Sequence, residues 1–181
     1  AGVDLHEEVR RHLADLPEED LVGRKALLDG EVEGEGAGTH GDEAVDLARA
    51  FPDVPMVIDH VGTPVGLGRY AGKREERFAG WKASMASLAE LPHVYIKLGG
   101  LGMPFPGFEG MGPDIRPSSE TLAEAWRPYI ESCIELFGAN RCMFESNFPV
   151  DRWGADYPSL WNAFKRIAAG ASADEKANLF A

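Results

Sequence analysis

The chain has 181 residues, 44% of them hydrophobic and 27% charged, with a formal net charge of −12. That length and balance suit one soluble globular domain, or a piece of a larger one, with enough apolar surface for a real core. The acidic excess argues against a nucleic-acid backbone or an anionic membrane surface as partner; no apolar run reaches the roughly 18 residues of a membrane helix, and the opening residues do not read as a signal peptide.

The first stretch carries most of the charge. Residues 1–46 hold 14 acidic and 4 basic groups. Residues 4–15 read as an amphipathic helix, with Leu5, Val9, His12 and Leu13 near one face. Residues 30–38 form an acidic glycine run, which cannot bury enough apolar surface to offset its ordering entropy. Residues 29–40 are therefore expected to be a loop or disordered linker. A calcium loop would need ligands at defined offsets and a closing bidentate Glu, and the spacing does not supply them. The expected division is an acidic, poorly ordered segment over 1–41 and a folded domain over 42–181.

Residues 42–51 read as a short helix, with Asp42 and Glu43 at the positive end of its dipole and Pro52 beyond its end. Residues 55–60, Pro-Met-Val-Ile-Asp-His, read as a short buried strand, followed by a loop rich in Gly and Pro. Residues 72–91 are expected to be helical, with Phe78, Trp81, Met85 and Leu88 as a buried stripe. A second strand covers 93–98, a long Gly/Pro loop 99–117, and a second long helix 119–137. Ser118 is the expected N-cap of that helix and Gly138 its left-handed C-terminal cap. A third strand covers 141–146, broken by Asn147-Phe148-Pro149, and a helix follows over 156–169. Ser172 and Glu175 fit a capping box for a last helix, which has barely begun at Ala181, so the chain reads as truncated. Cys133 and Cys142 have no metal or redox spacing and read as free thiols of a reducing, cytoplasmic setting.

Short apolar strands alternating with longer helices predict parallel pairing with right-handed crossovers. An open doubly wound sheet and a section of a (β/α)8 barrel both fit that order. No Gly-x-Gly-x-x-Gly opens a helix after a strand, so nucleotide binding is disfavoured. In parallel α/β folds the chemistry sits at the C-terminal strand ends. Three such ends carry polar groups: Asp59-His60, Lys97, and Glu145-Ser146-Asn147. The imidazole of His60 can act as acid, base or metal ligand near neutral pH. Glu145 reads as a barrel-interior acid or an ion-pair partner of Lys97. Asn147 sits on a tight turn aimed at the site, while Asp151 and Arg152, on the same loop, divide evenly between the surface and the site.

Three segments resemble strands six, seven and eight of the amidohydrolase 2 family: Val57-Ile58-Asp59-His60-Val61-Gly62-Thr63-Pro64, Val94-Tyr95-Ile96-Lys97-Leu98-Gly99-Gly100-Leu101, and the run from Arg141 to Asp151. The resemblance covers about residues 42–181 and is nearest to lactonase-like members. It implies the C-terminal portion of a (β/α)8 TIM barrel, with parallel strands, outer helices and an incomplete barrel. It also implies a divalent metal, zinc above all, in the intact family site. The family's His-x-His pair on the first strand occurs nowhere in this chain, so strands one to about four are expected to be missing. His40 lies near the place of the family's strand-five metal ligand. His60 matches the strand-six His, which works beside the metal. The family's strand-eight Asp, which binds metal and activates water, is Asn147 in this chain. A neutral amide ligates weakly through its oxygen and cannot serve as a base near pH 7.

The resemblance implies a hydrolase that opens a small carboxylated lactone. His60 and Asn147 are then the catalytic pair, His40 a metal ligand, and Lys97 or Arg152 the anchor for a substrate carboxylate. A family decarboxylase is the alternative within the family. A non-catalytic fragment is the alternative from another class: a few strands cannot close a barrel, and the open sheet edges invite self-association into a homo-oligomer.

Overall fold

The computed structural model of the chain describes residues 39–180. The expected helix over 4–15, the acidic glycine run and almost all of the segment over 1–41 lie outside those residues. The described elements are α1 (Thr39–Ala50), β1 (Met56–Ile58), α2 (Arg74–Ala89), β2 (Val94–Leu98), α3 (Ser119–Phe137), β3 (Cys142–Phe144), α4 (Tyr157–Ile167) and α5 (Ala173–Leu179), joined by loops and short 3-10 turns. The sheet has three strands in the order β1-β2-β3, and both pairings are parallel. The strand order and direction are as the alternation of strands and helices predicts.

Register decides which residues meet. Val57 pairs with Tyr95, and Lys97 with Met143. Because side chains alternate across a strand, Val94, Ile96 and Leu98 share one face and Tyr95 and Lys97 the other. The first face is fully buried, together with Cys142 and Phe144 of β3. It packs on α2, α3 and α4, which contribute Leu88, Trp126, Ile130 and Phe164 to one core. Burying each such side chain stabilises the fold by about 1.5–3 kcal/mol relative to leaving it in water. The second face carries half-buried Tyr95, Lys97 and Met143, and Val57 is 46% exposed.

The helix starts follow local hydrogen-bond chemistry. Ser118 accepts from the Thr121 N–H and Asp156 from the Ser159 N–H, satisfying first-turn donors of α3 and α4. The capping box at α5 forms in both directions, between Ser172 and Glu175. Below the sheet, Arg141 ties three elements together. Its Nε–H donates to the Phe137 carbonyl, Nη1–H to those of Leu91 and Val94, and Nη2–H to that of Ala89, at 2.9–3.2 Å. These carbonyls end α3 and α2 and open β2. Arg141→Met is expected to lower the unfolding free energy by about 2 kcal/mol, because several partly buried acceptors lose a charged donor together. Urea denaturation checks it, and an unchanged midpoint would remove Arg141 from this role.

Several expectations are corrected. α1 begins at Thr39 rather than 42, so residues 39 and 40 are helical rather than part of a linker. The first strand is shorter than 55–60 and half-exposed rather than buried, because it is an edge strand whose one strand neighbour among the described residues is β2. Gly138 has the positive φ of 78° that a cap requires, but its ψ of 149° is extended rather than left-handed helical. The two cysteines are free and buried, and burial pushes both thiols up, Cys142 to about 12. No helix among the described residues is long and apolar enough to cross a membrane.

Candidate active site

The end of β1 turns sharply. His60, Val61 and Thr63 have φ of 56°, 48° and 47°, with Gly62 between them at 70°. Such left-handed conformations cost L-residues roughly 1–2 kcal/mol each, most for a β-branched one. The surroundings hold the turn in place. Val61 is fully buried, and its carbonyl accepts from Trp81 Nε1–H at 2.8 Å. The turn carries His60 off the strand axis and across the end of β2. There the chain reads Gly99-Gly100-Leu101-Gly102, and the glycines are needed. A Cβ on Gly100 would lie 2.5 Å from the His60 ring, and one on Gly99 would lie 2.4 Å from Glu145 Cγ. A Cβ on Gly102 would lie 3.0 Å from Asp151 Cβ. The loop after β2 is therefore a bare backbone wall against which three site residues rest.

Beyond β3, Glu145 reaches back to the first strand end. Its Oε1 lies 2.5 Å from His60 Nδ1 and also accepts from the His60 backbone N–H at 3.3 Å. Its Oε2 is 3.7 Å from Lys97 Nζ, which pairs with Asp59 at 2.8 Å. The result is a charge chain, Asp59–Lys97–Glu145–His60, along the three strand ends. The hydrogen bond to Asp59 raises the Lys97 pKa, opposed by partial desolvation and helped by the charges of Asp59 and Glu145. His60 Nε2 makes no hydrogen bond among the described residues.

Asn147 follows in the left-handed region, with φ of 46°. Its amide Nδ2–H donates to Asp151 Oδ1 at 3.1 Å. Asp151 is 0% exposed, and its Oδ2 has no side-chain hydrogen-bond partner among the described residues. Burial pushes its carboxyl up from 3.8 to about 6; the Asn147 hydrogen bond, His60 and the Gly100 backbone oppose the rise, and Glu145 adds to it.

His60 and Asn147, expected together, both follow the C-terminal ends of their strands, at the same end of the parallel sheet, and Asp151 accepts from Asn147. Lys97 reaches the same place, but its ammonium is engaged by two carboxylates. Arg152 is exposed, and its guanidinium has no partner among the described residues. His40 lies in the first turn of α1 rather than at a strand end, with its side chain outside the described residues. Glu145 is the ion-pair partner of Lys97, half-buried past the end of β3, and adds the contact with His60. Asp151 is the residue that sequence reasoning underweighted. It is the second residue of a 3-10 turn over Val150–Trp153, where successive side chains point about 120° apart. An outward Arg152 therefore places Asp151 inward. Among the described residues, no three His, Cys, Asp or Glu side chains are grouped so as to hold a metal ion.

Parallel β/α units with helices on one face and polar groups at the C-terminal strand ends define a section of a (β/α)8 barrel. The amidohydrolase family profile matches residues 40–181, and the chain belongs to that family. It is 38% identical over 139 residues to the uncharacterized protein y4mH of Sinorhizobium fredii, covering 77% of this chain and 40% of that protein. It is 31% identical over 127 residues to an L-fucono-1,5-lactonase of Burkholderia multivorans, covering 69% of this chain and 40% of that enzyme. A crystal structure of an amidohydrolase from Burkholderia multivorans with bound zinc superposes with a TM-score of 0.64 at 24% identity. That match covers 79% of this chain and 46% of the other, and it speaks for the fold. The chain thus spans less than half the length of the relatives it matches.

Proposed function

We propose that these strand ends belong to the hydrolytic site of an enzyme that opens a small lactone, with His60 as general base and Glu145 as the group that orients it. The observation that carries this reading is the 2.5 Å contact between Glu145 Oε1 and His60 Nδ1, which leaves Nε2 without a partner among the described residues. A carboxylate on Nδ1 keeps the proton there and makes Nε2 the basic nitrogen, the same logic that aligns a histidine base in acyl-transfer enzymes. A water on Nε2 gives its proton to the imidazole as its oxygen attacks the lactone carbonyl. The ring C–O bond then breaks, and the proton passes from Nε2 to the departing alkoxide, so one water is added in total. Lys97 Nζ, 3.7 Å from Glu145 Oε2, helps hold that carboxylate in place. With Lys97 balanced by two carboxylates, the exposed guanidinium of Arg152 is the better anchor for a substrate carboxylate. The relatives named L-fucono-1,5-lactonase, at 31% and 32% identity, support a lactone as the substrate class.

The family's zinc does not fit the described donors alone. His60 Nδ1 and Glu145 are committed to each other, and the Asn147 amide is turned to Asp151. Catalytic zinc takes three protein ligands, so at least two would have to come from outside the described residues, and no step is routed through it.

The test is hydrolysis of a panel of five- and six-membered lactones, with and without carboxylate and hydroxyl groups, by the full-length protein. Ring opening is expected for at least one member. Glu145→Gln should lower kcat by roughly 10–100-fold, as loss of a histidine's orienting carboxylate does. Failure to open any lactone, or an unchanged kcat in Glu145→Gln, would overturn the reading.

A further inference from the structure

The unexplained group in this site is Asp151. A buried carboxylate oxygen without a partner is costly, and native proteins keep few of them. Asp151 Oδ2 is such an atom, in a residue that is 0% exposed. Asp151 does not need its carboxyl to form the turn. Its backbone already completes the turn, since its N–H donates to the Asn147 carbonyl and its own carbonyl accepts from Gly154 and Ala155. What the carboxyl adds is the 3.1 Å hydrogen bond from Asn147 Nδ2, beside an interaction with the Gly100 backbone.

That contact has a directional consequence. An amide has an NH2 edge and a carbonyl edge, and a carboxylate accepts only from the first. Asp151 therefore turns the NH2 of Asn147 inward. Asn147 Oδ1 accepts no hydrogen bond among the described residues and is not a buried atom. Asn147 is itself held at φ of 46°, so its side chain leaves the backbone in a fixed direction. The amide oxygen is thus an acceptor with a set orientation, open at the end of the sheet that carries His60.

We propose that Asp151 is a positioning residue that locks the Asn147 amide so that its oxygen is presented as an acceptor for an O–H donor, either the attacking water or a ring hydroxyl of the substrate. This rests on the strand ends being the hydrolytic site. Asn147 then does work that a carboxylate at the same place would do differently. It receives a hydrogen bond and directs the donor, while proton removal falls to His60. A free Asn would present either edge, and half of its orientations would offer a donor where an acceptor is wanted. Asp151 removes that ambiguity.

The test uses the full-length protein in four forms: unaltered, Asn147→Ala, Asp151→Ala and Asp151→Asn. Asparagine labelled with nitrogen-15 gives one carboxamide signal that Asn147→Ala deletes, which assigns it. In the unaltered protein its two protons should be well separated and slow to exchange. Asp151→Ala should move them to the values of a solvent-exposed amide. Asp151→Asn should keep them, because the new amide oxygen still accepts. In parallel, kcat/KM is measured for L-fucono-1,5-lactone and for δ-valerolactone, which has no hydroxyl groups. Asn147→Ala and Asp151→Ala should each lower kcat/KM for the hydroxylated lactone about tenfold, the effect of losing one oriented hydrogen bond, and Asp151→Asn should restore most of it. A loss confined to the hydroxylated lactone identifies a substrate hydroxyl as the donor, and an equal loss in kcat for both identifies the water. An Asn147 signal unmoved by Asp151→Ala, or Asp151→Asn as impaired as Asp151→Ala, would overturn the proposal. If neither lactone is hydrolysed by the unaltered protein, the lactonase reading fails, and the carboxamide signals alone decide whether Asp151 holds Asn147.

Discussion

His60→Asn in the full-length protein is expected to lower kcat/KM for lactone opening by roughly 10²–10⁴-fold, the contribution a positioned general base makes. Asparagine is chosen because it tolerates positive φ better than most residues, so the turn from His60 to Thr63 can persist while the basic nitrogen is lost. Alanine would also empty the space against Gly100 and mix a packing effect with the chemical one. Lys82→Ala, on α2 and away from the strand ends, is the control and should leave kcat/KM within about twofold, since its one ion pair among the described residues is an exposed one with Glu135. A His60→Asn enzyme within threefold of the unaltered one would show that proton transfer lies elsewhere.

Asp151 predicts a pH effect on stability that runs opposite to that of a paired carboxylate. Its carboxyl is pushed up from 3.8 to about 6, chiefly by burial. Between those values the folded chain binds more protons than the unfolded one, so this group makes stability fall as pH rises. Below the unfolded value the neutral carboxyl costs little. Above about 6 the folded chain carries a buried charge, and the full penalty is present. A shift of about 2 units corresponds to about 3 kcal/mol. Asp151→Asn removes the titration, so it should be more stable than the unaltered protein at about pH 7.5 and lose that advantage towards about pH 4. Comparing urea unfolding of the two forms across that range isolates Asp151 from the other carboxylates, which titrate alike in both. A constant difference would mean that Asp151 does not carry the strain.

The architecture was legible because its determinants are local. Alternating apolar runs and amphipathic stretches are properties of ten or so neighbours, and the caps Ser118, Ser172 and Glu175 act within one turn. Those features sit in the structure where reasoning from residues puts them. The candidate site was half legible. His60 and Asn147 stand out because they follow apolar strands. The Glu145–His60 contact spans 85 positions, and no local pattern encodes which of two readings an interior acid will take. Asp151 was harder still, because neighbouring positions on a short turn look alike until the backbone decides which one faces inward. The glycines at 99, 100 and 102 were read only as loop formers. Their purpose is set by what lies against them, His60, Glu145 and Asp151, and that information is in other strands. The depth of β1 was misjudged for a related reason. Met56, Val57 and Ile58 are apolar enough for a buried strand, but burial also needs a neighbour on each side.

The pleat of β2 separates two kinds of obligation. Val94, Ile96 and Leu98 hold the helices, while Tyr95 and Lys97, interleaved between them, face the other way and are only half-buried. A change at an odd-numbered position of this strand can alter charge, shape or ligand preference at a small cost in folding free energy. A change at an even-numbered one is felt through the whole apolar layer before it can reach the chemistry. New specificities on this scaffold are therefore within reach of single substitutions, because evolution or design can vary one register of the strand while the other keeps the chain folded.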